Sequence, residues 1–257
     1  MALNFGTISN NWYVDYGTLS SANFLSGTLM ALVNFTVLST NDDGLIIGKH
    51  NGTFGSGCQL WHEFGGDQIR FARQRTGAGC AAASNVPVIN AIGWHWVAAV
   101  WDSGGVDGDQ KIYAGDLGSA MVDETNNNTI GTGGVADITA ASFNVGADDG
   151  GSYDFEGHIA CAFAWDGPLL TLAELNLQAA LWDRVAVQPA SCVLFSQLGW
   201  NGTGTQVDWS GNRHNGTVTG ATLINHAPLG FNPPARTFQD FGIPTRRPFP
   251  TFRPMAT

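Results

Sequence analysis

Apolar and polar positions along this chain change over in short runs, with turn residues between them, and this rhythm predicts strands. The longest run, Leu29 to Leu38, is almost unbroken in strand formers. Shorter runs follow at Gly44 to Lys49, Gln59 to Phe64, Gln68 to Arg73, Trp94 to Trp101, Gln110 to Tyr113, Ser142 to Gly146 and Phe155 to Trp165. Gly65-Gly66-Asp67, between the third and fourth runs, is a hairpin signal. One segment breaks the pattern. Thr171-Leu172-Ala173-Glu174 is a capping box, in which hydroxyl and carboxylate satisfy free amides of a first helical turn, and Leu175, Leu177, Ala180 and Leu181 carry the helix on to Trp182. A single short helix after many strands predicts a lid on a sandwich edge and not a second domain. The expected fold is all-β: an antiparallel jelly-roll β-sandwich over residues 1–230, with one short helix.

Past residue 230 the character changes. Six of the ten prolines lie there, interleaved with Phe231, Phe238, Phe241, Phe249 and Phe252. Proline at this density forbids helix and central strand. Five phenylalanines are many for a merely solvated tail, because disordered segments are poor in aromatics. Residues 231–257 are therefore expected to form an extended Pro-rich arm that docks on a surface; a floppy terminus is the alternative.

Charge sharpens this division. Only 12% of residues are charged and the net charge is −10, which argues against nucleic acid as a partner. Residues 1–230 hold seven Lys/Arg against twenty Asp/Glu, net −13, whereas the arm holds four Arg against one Asp, net +3. No apolar run approaches the length of a membrane helix, and Met1 to Gly6 lacks the features of a signal peptide, so membrane insertion is not expected. The Asn-x-Ser/Thr sequons at Asn34, Asn51, Asn127, Asn201 and Asn215 read as products of an Asn/Thr-rich composition. Cys58, Cys80, Cys161 and Cys192 fit no zinc spacing. Cys161, in an apolar run, reads as a buried thiol; Cys58 and Cys80 flank the predicted hairpin and could pair.

Three stretches between Leu29 and Trp182 resemble the laminin-G-like branch of the concanavalin-A-like lectin/glucanase superfamily. They are Gly93-Trp94-His95-Trp96-Val97-Ala98-Ala99-Val100-Trp101-Asp102, then Lys111-Ile112-Tyr113-Ala114-Gly115-Asp116, and then the closing order Phe143-Asn144-Val145-Gly146, Phe155-Glu156-Gly157-His158-Ile159, Trp165 and the helix opened near Glu174. A fourth, Asp208-Trp209-Ser210-Gly211-Asn212 with Gly216-Thr217, is similar to a segment that often neighbours such domains. The resemblance implies two packed antiparallel sheets, with Trp94 on a buried strand position. It does not fix a function, because that sandwich hosts lectins, hydrolases, adhesion modules and virion proteins. Ala160 and Cys161 stand where the family commonly has acidic residues.

Candidate chemistry is sparse. Glycan hydrolysis needs two carboxylates flanking the scissile bond. Asp154 and Glu156 would share a strand face, but at a position where the family uses a structural turn. The six histidines are scattered; His62 and His95 read as polar faces or satisfied core groups. Calcium wants several oxygen donors on a loop: Asp148, Asp149 and Asp154 offer one set, and Asp102, Asp107 and Asp109 another. Sugar binding needs an exposed aromatic platform, for which Trp12, Tyr13, Tyr153 and Trp200 are the candidates, while Trp94, Trp96, Trp101 and Trp165 fit the core.

The function expected is non-catalytic: a structural or interaction protein at a virion or extracellular surface, such as a phage capsid decoration, fibre or tail protein. Its arm would hold self or other surface partners through Arg236, Phe238, Phe241, Arg246, Arg247, Phe249, Phe252 and Arg253. The alternative is a carbohydrate-binding module or adhesin that recognises glycans through rim loops, with calcium as its cofactor.

Overall fold

The computed structural model describes residues 1–6, 11–19, 23–36, 43–50, 57–63, 68–77, 80–84 (side chains only at 82), 92–102, 110–129, 131–134, 136–147 and 153–225. The first sheet has β3 (Ser26–Phe35) at its centre, between β8 (Gly93–Asp102) and β13 (Gly157–Asp166). Beyond β8 lie β9 (Lys111–Asp116) and β10 (Val122–Asp123). The far edge of β13 is shared: its first residues pair with β1 (Ala2–Asn4), its later ones with β14 (Cys192–Gln197), and β16 (Thr222–Ile224) lies outside β1.

The near-unbroken apolar run of β3 is explained by burial on both faces. Leu29, Ala31, Val33 and Phe35 point between the sheets, while Met30 and Leu32 pack in a second cluster outside. Val97, Ala99 and Trp101 of β8 point inward, and Trp96, Ala98 and Val100 outward. Helix α1 (Leu172–Ala180) belongs to that outer cluster through Leu175 and Ala179. Its capping box forms as expected, with the Glu174 amide donating to Thr171 Oγ1 at 3.3 Å and the Thr171 amide to Glu174 Oε2 at 2.8 Å. Each buried Trp or Phe contributes roughly 2–3 kcal/mol of transfer free energy.

The second sheet runs β11 (Thr125–Thr129), β7 (Cys80–Ser84), β6 (Gln68–Arg73), β5 (Cys58–Glu63), β4 (Gly44–His50), β12 (Ser142–Val145), β2 (Tyr13–Asp15), β15 (Thr217–Thr219). All pairs are antiparallel, so the described residues form the β-sandwich that the alternation predicts. The sheets share a core of Phe24, Phe35, Phe71, Trp101, Phe143 and Phe155, among others. Gly146 shows how tight it is: at φ +96° it passes Phe5 so closely that a Cβ would lie 2.1 Å from the ring. At one end of this core Arg73 is fully buried and donates to the carbonyls of Phe24 (2.9 Å), Asn23 (2.7 Å) and Ala136 (2.9 Å), tying the crossing segments to β6.

Several expectations change. Trp96, Trp101 and Trp165 are buried, but Trp94 is half-buried, because its strand position faces outward past the end of the helix-covered cluster. Cys58 and Cys80 do not suit a disulfide. Both align with Arg73, on opposite sides of β6. Their Cα atoms are therefore about two strand spacings, ~10 Å, apart, beyond disulfide reach. Cys161 is a buried thiol, and desolvation raises its pKa. Asp154 and Glu156 precede β13 and do not share a strand face within it.

Candidate functional site

The outer face of the first sheet is divided. Helix α1 and the segment after it cover the half that holds Met30, Trp96 and Trp165, where the Trp165 indole donates to Val187 O at 2.7 Å. At the other end a row of side chains stays half open. The register sets it: Asn34 of β3 faces Trp94 of β8 on one side and His158 of β13 on the other, and His158 faces Asn4 of β1. Their neighbours Val33, Phe35 and Ile159 lie in the inter-sheet core, so the row points away from it. All four are half-buried. The rings of Trp94 and His158 lean together across Asn34, with centroids 6.3 Å apart at 42°.

Glu156 completes the group. It lies two residues before His158, immediately ahead of β13, with Phe155 before it buried in the inter-sheet core. The main chain here is drawn close to β3. Gly157 pairs with Phe35, and a Cβ on it would lie 2.3 Å from the Asn34 carbonyl, so any side chain would push β13 away from the row. Thr36 Oγ1 donates to Glu156 O at 3.5 Å. The Glu156 residue is 8% exposed, and burial raises its carboxyl pKa. Burial lowers the pKa of His158 and favours the neutral ring.

Three polar atoms of this group have no hydrogen-bond partner among the described residues: Asn34 Oδ1, Glu156 Oε2 and His158 Nδ1. Buried polar groups without partners cost about 1–3 kcal/mol each, and they are uncommon enough that each needs an explanation. Beside the flat face of Trp94, they make a patch suited to a ligand that carries both an apolar face and several hydrogen-bond donors.

The residues expected to bind are placed differently. Trp12 is half-buried against the inter-sheet core, over Gly220, where a Cβ would lie 2.0 Å from its ring. Tyr13 lies in β2, paired with Thr219. Tyr153 is half-buried and accepts the Leu45 amide at 3.0 Å. Trp200 is 66% exposed in the turn after β14, and Trp209, not singled out from sequence, is also exposed. Trp12 and Tyr13 are on the second sheet's side and Trp200 beyond β14, so they do not form one platform with the row. Asp208 turns inward and accepts from the amides of Phe195 (3.1 Å), Ser210 (2.9 Å) and His214 (3.0 Å), a structural hub for that segment.

Asp154 is buried, and its Oδ2 accepts the Asn11 amide at 3.0 Å. Asp148, Asp149, Asp107 and Asp109 lie outside the described residues, as do Arg236, Phe238, Phe241, Arg246, Arg247, Phe249, Phe252 and Arg253. Among the described residues no group of three His, Cys, Asp or Glu side chains could hold a metal ion, and no helix is long and apolar enough to cross a membrane. His62 and His95 are core groups, their rings tilted against Phe35 with centroids 4.7 and 5.8 Å away, and His95 Nδ1 lies 2.9 Å from Asp116 Oδ1.

The row was not legible as a site because its members come from four strands far apart in sequence. Its signal was present: Asn34 and His158 are polar residues within otherwise apolar runs.

No protein-family model matches the chain, and no curated protein sequence does. Among solved structures, the chain is similar to the CBM40 module of the Ruminococcus gnavus IT-sialidase, at 16% identity and a TM-score of 0.45, with 63% of this chain and 84% of the module covered. Tailspike protein 2 of the Escherichia coli O157:H7 bacteriophage CAB120 gives 12% and 0.48, over 70% of this chain and 24% of that one. Domains LG4-5 of the mouse laminin alpha1 chain give 11% and 0.45, over 67% and 43%. At these identities and scores the likenesses assign neither a family nor a function, and the β-sandwich stands on the strand pairing itself.

Proposed function

We propose that the protein is a non-catalytic recognition module of a virion-type or extracellular surface, and that it holds a sugar on the Trp94–Asn34–His158–Glu156 patch. The carrying observation is the set of three polar atoms without partners beside a half-open Trp face. Sugars combine an apolar C–H face, which stacks on an indole, with hydroxyl donors that reach amide and carboxylate oxygens. The carboxylates near this end of the sandwich support binding better than hydrolysis: Asp154 holds the Asn11 amide, while Glu156 sits beside the end of β3. Calcium on Asp148, Asp149 and Asp154 belongs to the same reading and would make part of the binding sensitive to chelator.

The test is a glycan array followed by calorimetry on the hits. Specific binding should fall about tenfold in Trp94→Ala, the loss expected if a sugar face on the indole is worth about as much as the lower end of the ~1–3 kcal/mol of base–aromatic stacking. Binding that ignores Trp94 but is lost in Trp200→Ala would move the site to the turn after β14.

The assembly role rests on the charge division of the sequence. The arm, with Arg236, Arg246, Arg247 and Arg253 among five phenylalanines, would dock on the acidic surface of a neighbouring copy. Arginine forks onto carboxylates, and prolines reduce the entropy lost on docking.

A further inference from the structure

We infer that the ligand of the Trp94–Asn34–His158–Glu156 patch carries a protonated primary amine, and that the patch selects amino sugars over N-acetylated or acidic ones. This rests on the sugar-binding reading above and narrows it. The three atoms without partners are of one kind. Asn34 Oδ1 and Glu156 Oε2 accept hydrogen bonds only, when the carboxyl is ionised, and His158 Nδ1 accepts when the neutral ring carries its proton on Nε2. An ammonium group presents three N–H donors and no acceptor, which matches three acceptors.

Charge points the same way. Among the described residues, none of the ion pairs includes Glu156. A buried carboxylate without a cation is costly, and a cationic ligand removes that cost. The indole of Trp94 adds cation–π attraction. A carboxylated sugar would meet Glu156 with like charge, and an N-acetyl group would bring one donor in place of three to the three unpartnered acceptors. The three atoms are out of solvent reach, so the Trp94 and His158 rings must part to admit the amine, and binding should change the Trp94 fluorescence.

The experiment titrates the full chain with the β-1,4-linked glucosamine disaccharide, its N-acetylated counterpart and sialyllactose, followed by calorimetry and tryptophan fluorescence. The glucosamine disaccharide is expected to bind about tenfold or more tighter than the N-acetylated one, as a charge-assisted hydrogen bond allows, and sialyllactose weakest. Glu156→Gln, which keeps the shape, should abolish the preference. Equal or tighter binding of the N-acetylated or sialylated ligand overturns the amine assignment and leaves the sugar reading standing. A preference that survives Glu156→Gln also overturns it, because it would report only the attraction of an acidic protein for a cation. If none of a broad glycan set binds and a high-resolution structure shows water satisfying the three atoms, both readings fall.

Discussion

His62 illustrates how far a single residue can be followed. It lies on β5 facing the core, fully buried against Phe35, and desolvation lowers its pKa from 6.5 to about 4. The folded state therefore holds the neutral ring, and protonation favours unfolding. The sign follows: this contribution is intact above about pH 6.5 and is lost progressively as pH falls towards 4, to a total of roughly 3 kcal/mol. Urea midpoints measured from pH 7.5 to 4.5 should decline, and His62→Gln should flatten the decline; an equal slope in the variant would show that other groups cause it. At this scale sequence was a partial guide. His62 and His95 were recognisable as core histidines, and three tryptophans as buried. Trp94 was not recognisable as half-open, since only the position of α1 over the outer cluster decides which strand residues stay uncovered. Glu156 reads in the sequence as one of a carboxylate pair with Asp154, whereas in the structure it lies outside β13, with its carbonyl accepting from Thr36 at the end of β3.

At the scale of elements, local signals were strong where the chain dictates its own conformation. The Thr171/Glu174 box starts α1 at Leu172, as its spacing requires. Thr171→Ala should cost about 1 kcal/mol, seen as a fall of about 2–4 °C in the thermal midpoint for a domain of this size. Thr171→Ser should restore most of it, and a midpoint unchanged in the alanine variant would mean that outer-cluster packing alone holds the helix. Strands with both faces buried, such as β3, β8 and β13, were also plain, since their apolar runs are continuous. Strands β7 and β11 were not. Their sequences, Cys-Ala-Ala-Ala-Ser and Thr-Asn-Asn-Asn-Thr, are poor in strand formers, and they are strands because they pair with each other and with β6. β1, β2, β15 and β16 are three-residue pieces, below the length at which alternation can be read.

For the molecule as a whole, sixteen strands among the described residues pair into two sheets, the last of them β16 at Thr222–Ile224. A chain cut after residue 230 should fold, with native near-UV circular dichroism and a cooperative melt; a molten truncation would show that 231–257 helps to form the core. The charge division adds a second expectation. If the arm links copies, full-length protein should associate at low salt and dissociate as screening rises, whereas the 1–230 chain should stay monomeric. Association that persists after truncation would place the contact on the sandwich.

The placement of β1 has a consequence in time. Leu3 pairs with Ile159 on one side and with Leu223 on the other, and β3 cannot gain both its neighbours until β13 has been made. On a ribosome adding about 5–20 residues per second, the amino-terminal strand therefore waits for many seconds with its amides and carbonyls unpaired. Closing such long loops before any pairing is gained makes refolding slow. The edge of β3 that awaits β13, open after β8 has covered the other one, is the segment a chaperone would be expected to hold.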